Sequence, residues 1–333
     1  MKPTILITGG TGFIGANLAH ELVFNKLDAA LHILAEPGSN PWRLASIADA
    51  ITVHEISITN HRAIRQLVES IRPVEIYHLA AYGGMPDQQD QALIFDVNLR
   101  GTINLLNVCK EVGFEVFINT GSSSEYGKKD IPMTEDMPLE PISDYAIAKV
   151  AATHFCLKEA IVHNLPIYTV RPFSVYGDYE MPTRLIPTII TNALRETLAP
   201  LGNPGNVRDY IYIKDLIALY HAIATQRPTS AYIFNGGTGM QSSTKEVVTT
   251  VSSLLPNIMN VQWGKTASRP WEPTSWQADP SLAHTVLGWQ PRYSLKRGLA
   301  ASLMWFEQNL TLYNEEELHV THTDNQSTSN TTT

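Results

Sequence analysis

The chain has 333 residues, 44% hydrophobic and 17% charged, enough apolar material for a large core in one big domain or two closely joined ones. Its formal net charge is -8, its pI is near 5.8 and no basic run occurs, which argues against nucleic acid or an anionic membrane as the main partner. No apolar run approaches a membrane span, and Cys109 and Cys156 fall in apolar helical patterns, so a soluble protein in a reduced, cytoplasmic setting is expected.

A β-branched apolar run at residues 4–8 leads into Gly9-Gly10-Thr11-Gly12-Phe13-Ile14-Gly15, and helical periodicity follows over residues 16–27. This reads as strand, glycine turn, helix. Gly9, Gly12 and Gly15 let the backbone turn tightly and approach a pyrophosphate, whose charge the free N–H groups at the helix start favour. The turn, with Thr11, Phe13 and Ile14, is the first candidate cofactor site.

A second strand at residues 30–34 should end where an adenosine ribose sits, in Ala35-Glu36-Pro37-Gly38-Ser39-Asn40-Pro41-Trp42-Arg43. Glu36 would accept from a ribose 2′-hydroxyl, favouring NAD, whereas Arg43 and Ser39 would hold a 2′-phosphate, favouring NADP. With alanine at the expected acidic position, the choice stays open. A third strand is expected at residues 51–56, a helix at 60–71 ending before Pro73, and a fourth strand at 74–81 containing Leu79, Ala80 and Ala81. A helix at 91–112 carries Asn98, and a fifth strand follows at 115–120. This alternation predicts an α/β fold, a doubly wound parallel Rossmann sheet with helices on both faces. Ligands of such sheets sit beyond the carboxyl ends of the strands, where Gly9, Ala80 and Ser122 emerge.

Tyr145 and Lys149 stand four residues apart in a segment that reads as helix, so they share a face. A phenol shuttles protons poorly near neutral pH unless a cation favours the phenolate, and Lys149 is placed to be that cation.

Past residue 170 the alternation loosens. Helices are expected at 186–198, 216–225, 243–255 and 295–310, with a strand at 232–235. The division is a dinucleotide-binding domain over 1–170, to which later segments return, a smaller interleaved substrate-binding lid over 171–312, and a disordered tail over 313–333. No Cys/His cluster has zinc spacing, and Gly121-Ser122-Ser123-Ser124-Glu125 lacks the closing glycine of a hydrolase elbow, so no metal site is expected.

Six segments in register resemble the extended short-chain dehydrogenase/reductases: Thr8 to Gly15, His78 to Ala81, Ser122 to Gly127, Tyr145 to Lys149, Arg171-Pro172-Phe173-Ser174-Val175-Tyr176-Gly177, and Arg208 to Tyr212. Trp276 to Asp279 and Leu287 to Pro291 are similar to closing segments of that family's nucleotide-sugar epimerases and dehydratases. The resemblance implies Tyr145 as general acid/base, Lys149 as the residue that lowers its pKa and holds the nicotinamide ribose, and Ser122 as the catalytic hydroxyl, with Ser123 the alternative. It also implies cofactor contacts at Leu79, Ala80, Ala81, Asn98, Pro172 and Phe173. For the substrate, a nucleotide-diphosphate sugar, it implies Tyr82, Gly83, Met85, Ser123, Ser124 and Ser174, with Arg208 and Arg269 on the diphosphate.

In the family's 4,6-dehydratases an acid or serine and then a glutamate base follow the catalytic hydroxyl, but here Ser123 and Ser124 fill those places and Glu125 comes one residue late. The resemblance therefore ranks a C4 epimerase first, an NADPH-dependent ketoreductase of a 4-keto-6-deoxy sugar second and a dehydratase third, with a non-catalytic cofactor-sensing protein as the non-enzyme alternative. It also implies a homodimer through the helix of Tyr145 and Lys149; the apolar Ile147, Ala151, Phe155 and Leu157 fit such a contact and fit a buried core helix equally.

Overall fold

The computed structural model describes residues 2–25, 28–230, 232–255, 260–265 and 274–313. Arg269, residues 26–27 of the first expected helix and residues 314–333 of the expected tail lie outside them. Tyr313, the first residue assigned to the tail, is buried against Trp42, Trp305 and Phe306.

The first half alternates as the apolar pattern dictates: β1 (Thr4–Thr8), α1 (Phe13–Phe24), β2 (Ala30–Ala35), β3 (Ile51–Glu55), α2 (His61–Ile71), β4 (Glu75–His78), α3 (Gln91–Phe95), α4 (Thr102–Val112), β5 (Val116–Thr120), α5 (Asp144–His163) and β6 (Ile167–Pro172). A π-helical turn, Asp96–Gly101, joins α3 to α4, so the expected helix over 91–112 is continuous but wider at its middle. The second half adds β7 (Ser174–Tyr176), α6 (Leu185–Leu194), β8 (Ala199–Pro200), β9 (Val207–Tyr212), α7 (Ile213–Gln226), β10 (Ile233–Gly236), β11 (Gln241–Ser243), α8 (Thr244–Leu254), β12 (Val261–Gln262), α9 (Ser281–Leu287) and α10 (Leu295–Gln308).

The main sheet has the order β10-β6-β5-β4-β1-β2-β3 and its pairings are parallel. From β1 the chain winds outward through β2 and β3, then returns to place β4 on the other side of β1. That reversal opens a crevice beyond the ends of β1 and β4, at Thr8 and His78, which are register partners. Side chains of β1 alternate between two cores: Ile5 and Ile7 join the cluster shared with α1 and α7, Leu6 the one shared with α2, α4 and α5. β10 comes from the second half yet completes the sheet beside β6. The strands β11, β9 and β7 form a separate small sheet that sequence pattern did not foresee, because β7 and β11 are only three residues long.

Candidate active site

The glycine turn is a backbone cradle. Gly9 has φ 66, and a side chain on it would meet the Ala80 backbone nitrogen at 2.7 Å; one on Gly15 would meet the Gly9 carbonyl at 2.4 Å. Gly12 caps α1 without any side-chain bond, and the first turn of α1 holds no acidic residue, so its N–H groups face the crevice with the helix dipole behind them. Thr11, Phe13 and Ile14 are half-buried around this opening.

A polar chain fixes the facing wall. His78 Nδ1 lies 2.7 Å from the Thr8 hydroxyl and its Nε2 2.8 Å from that of Thr102, which donates to the Asn98 carbonyl at 2.7 Å. Asn98, in the π-turn, donates to the Tyr82 carbonyl at 2.6 Å and accepts from the Tyr82 N–H at 3.4 Å. It thus holds the loop after β4, including Ala80 and Ala81, from beneath. Burial drives the His78 pKa down to about 3, so the ring is neutral. Leu79 and Ala80 continue the sheet pattern by donating to Thr8, through its carbonyl and its hydroxyl respectively.

α5 begins at Ser143, whose hydroxyl accepts from the Ala146 N–H. That start sets Tyr145 and Lys149 on the face toward the end of β5. Lys149 is buried, donates to the Thr120 carbonyl at 2.8 Å and lies 5.9 Å from the Tyr145 ring centroid. Ser122 lies just past Gly121 at the end of β5, and its side chain sits near enough to Tyr145 to favour the phenolate. The three side chains therefore converge.

Burial pushes the Tyr145 phenol up to about 12, while the Ser122 hydrogen bond and the Arg184 charge pull it back. Burial lowers the Lys149 ammonium to about 8, opposed by the Glu125 charge. Ser122 and Arg184 favour the phenolate here, against burial and the Glu125 charge.

The loop after β4 covers the phenol. Gly83, at φ 94, would bring a side chain to 3.5 Å from Tyr145 Cβ, and one on Gly84 would reach the ring at 4.0 Å. Gln88 accepts from the Gly83 and Met85 N–H groups at 2.9 and 3.3 Å, locking the turn. Ser174 pairs with Tyr210 in the small sheet, and Arg208 stacks 5.6 Å from the Trp276 ring centroid. Ser123 is buried and accepts from the Trp276 indole N–H at 3.2 Å, while the Ser124 N–H bonds Ser122. Phe173 packs in a small cluster with Tyr126, Met133 and Ala278, next to the buried Pro172.

At the other end of the cradle, Glu36 is exposed just past β2, and the Ser39 hydroxyl lies 3.5 Å from that of Thr11. Arg43 is buried: its guanidinium donates to the Tyr179 and Thr11 carbonyls at 2.8 and 3.3 Å and to Met181 sulfur at 3.0 Å, and lies 4.4 Å from the Trp42 ring centroid. Three of its five N–H donors are thus bonded within the protein.

Glu125 is wholly buried, paired to Arg171 at 2.8 Å and bonded to the Ser122 N–H at 2.9 Å, so it faces the core beneath the site. Ser122-x-x-Glu125 is a capping box that starts a short 3-10 helix, Ser123–Tyr126, and its spacing is legible in the sequence. Among the described residues no group of three His, Cys, Asp or Glu is placed to hold a metal, and no helix is long and apolar enough to cross a membrane.

A model of the NAD dependent epimerase/dehydratase family matches residues 5–237. The chain is 28% identical to a UDP-glucuronate 4-epimerase of Thermodesulfobacterium geofontis, over 92% of this chain and 97% of that one. It is also 28% identical to a dTDP-glucose 4,6-dehydratase of Xanthomonas campestris pv. campestris, over 92% and 94%. The crystal structure of a UDP-glucuronic acid 4-epimerase from Bacillus cereus, in complex with UDP-glucuronic acid and NAD, superposes with TM-score 0.80 at 26% identity, covering 92% of this chain and 99% of that one.

Proposed function

Because the chain belongs to the NAD-dependent epimerase/dehydratase family, we propose that it oxidises and re-reduces a nucleotide-diphosphate sugar with bound NAD, inverting the sugar at C4. The backbone cradle of Gly9, Gly12 and Gly15, which side chains would fill, fits a dinucleotide pyrophosphate. Thr11, Phe13, Ile14, Leu79, Ala80, Ala81, Pro172 and Phe173 would flank it, at the ends of strands of the main sheet. Exposed Glu36 is free to accept from a ribose hydroxyl while Arg43 is engaged elsewhere, which supports NAD over NADP.

When bound, NAD supplies the hydride acceptor and, in the reverse step, the donor. Tyr145, in its phenolate form, would take the proton of the C4 hydroxyl as the C4–H bond gives up its hydride, leaving a ketone. Ser122 donates a hydrogen bond to the same oxygen, and Lys149 supplies positive charge beside the phenol. Return of the proton from Tyr145, with hydride delivered to the other face of the flat ketone, gives the epimer. Tyr82, Gly83 and Met85 line the sugar side, and Ser174 and Arg208 stand toward the diphosphate.

The observation that carries epimerisation over dehydration is Glu125. A dehydratase needs a base beside the ketone, and the carboxylate in this loop is buried against Arg171, with serines at 123 and 124. The relatives themselves include both activities at equal identity. Purified protein offered UDP-glucose, UDP-glucuronate and dTDP-glucose should isomerise one of them without net change in nicotinamide absorbance. Net cofactor consumption would mean a one-way ketoreductase instead, and a keto-deoxy product a dehydratase.

A further inference from the structure

Glu125 is the one charged side chain of the catalytic turn, and the proposed reaction does not use it. Its burial is complete, and its contacts are specific. Oε1 accepts from the Ser122 N–H at 2.9 Å and the Thr153 hydroxyl at 3.0 Å; Oε2 accepts from Arg171 Nε at 2.8 Å. A side chain on Gly121 would strike Oε1 at 2.4 Å, so the turn is built around this carboxylate. Arg171 is itself held, donating to the Tyr126 hydroxyl at 3.0 Å and the Glu135 carbonyl at 3.2 Å.

The consequence falls on the Ser122 hydroxyl. In the capping box its oxygen accepts from the Ser124 N–H at 3.1 Å, which leaves its one O–H free to face the site, toward Tyr145 or, in the complex, the reacting oxygen. Were the Ser122 N–H released, the residue could rotate and lose that direction. We propose that Glu125, clamped by Arg171, is a positioning residue that aims the Ser122 hydroxyl at Tyr145 and the reacting oxygen. This rests on the epimerase reading above for its kinetic consequence, though not for the clamp. A buried ion pair is costly to form, and neutral pairs of similar volume often replace one without loss of stability, so stability alone does not account for one beneath the site.

The test replaces the pair. In the NAD-bound protein, Glu125→Met with Arg171→Met removes the charge and the acceptor together, whereas Glu125→Gln with Arg171→Met removes the charge and keeps the acceptor. Ser122 amide exchange should quicken about tenfold or more in the methionine pair, as expected for one lost hydrogen bond, and slow again in the glutamine variant. kcat on whichever nucleotide sugar the protein isomerises should fall roughly 10- to 100-fold in the methionine pair with KM within about twofold, and the glutamine variant should recover most of it. Equal exchange and kcat in the methionine pair and the wild type, or no recovery in the glutamine variant, would overturn the proposal. If the methionine pair does not fold, the glutamine variant decides alone: slow exchange with most of kcat kept is expected, and loss of both overturns it. Ser122→Ala and Tyr145→Phe run alongside separate the two readings. If those remain fully active the reaction assignment fails; if they are dead while the methionine pair works, only the positioning role fails.

Discussion

A phenol held near pKa 12 and an ammonium lowered to about 8 make the site's chemistry a matter of a few side chains. Tyr145→Phe should reduce turnover by roughly 10²- to 10⁴-fold, the usual share of a general acid/base, while NAD affinity measured by calorimetry stays within about threefold. Lys149 loses its charge as pH rises through about 8, so kcat/KM should decline above that value. Lys149→Arg, charged throughout, should abolish that alkaline limb even if activity is low. Arg43→Ala should lower stability by about 2–4 kcal/mol in urea unfolding without changing the proposed preference for NAD over NADP, since its guanidinium is bonded to the Tyr179 and Thr11 carbonyls. Two of its partners, Tyr179 and Met181, lie more than a hundred residues away in the chain, so spacing gave no sign of them.

Among the elements, those with local signals were legible and those with distant partners were not. β1, the glycine turn and α1 form a contiguous strand-turn-helix, and α5 carries its own cap in Ser143. Expected helix 186–198 instead ends at Leu194, where Arg195 caps it and Glu196 takes φ 55 before β8 begins. The brace of Thr8, His78, Thr102 and Asn98 joins β1, β4 and the π-turn through side chains far apart in sequence, so spacing gave no sign of it. Its electrostatic signature is measurable. The folded-state pKa of His78 lies far below its ordinary value of 6.5, so the unfolded chain binds the proton first as pH falls. Stability should therefore drop from about pH 6.5 downward by up to roughly 1.4 kcal/mol per pH unit from this group. His78→Gln should flatten that slope between about pH 6.5 and 5 in urea titrations; an unchanged slope would show that the ring is not held neutral.

For the whole molecule, the sheet order with its reversal between β1 and β4 was implicit in the alternation of strands and helices, but the return of β10 to the far edge shows how the second half is woven into the first. We also propose a homodimer through α5, on which Ile147, Ile161 and Val162 are exposed and Ala151, Phe155 and Leu157 half-buried. Val162→Glu should shift sedimentation to a monomer if that face is the contact. The central claim is that hydride leaves C4 and returns to C4. A nucleotide sugar carrying deuterium at C4 tests it most directly, with the product read by NMR. The account predicts the label on C4 of the epimer; label on C6 with loss of water, or label carried off in free reduced cofactor, would contradict it.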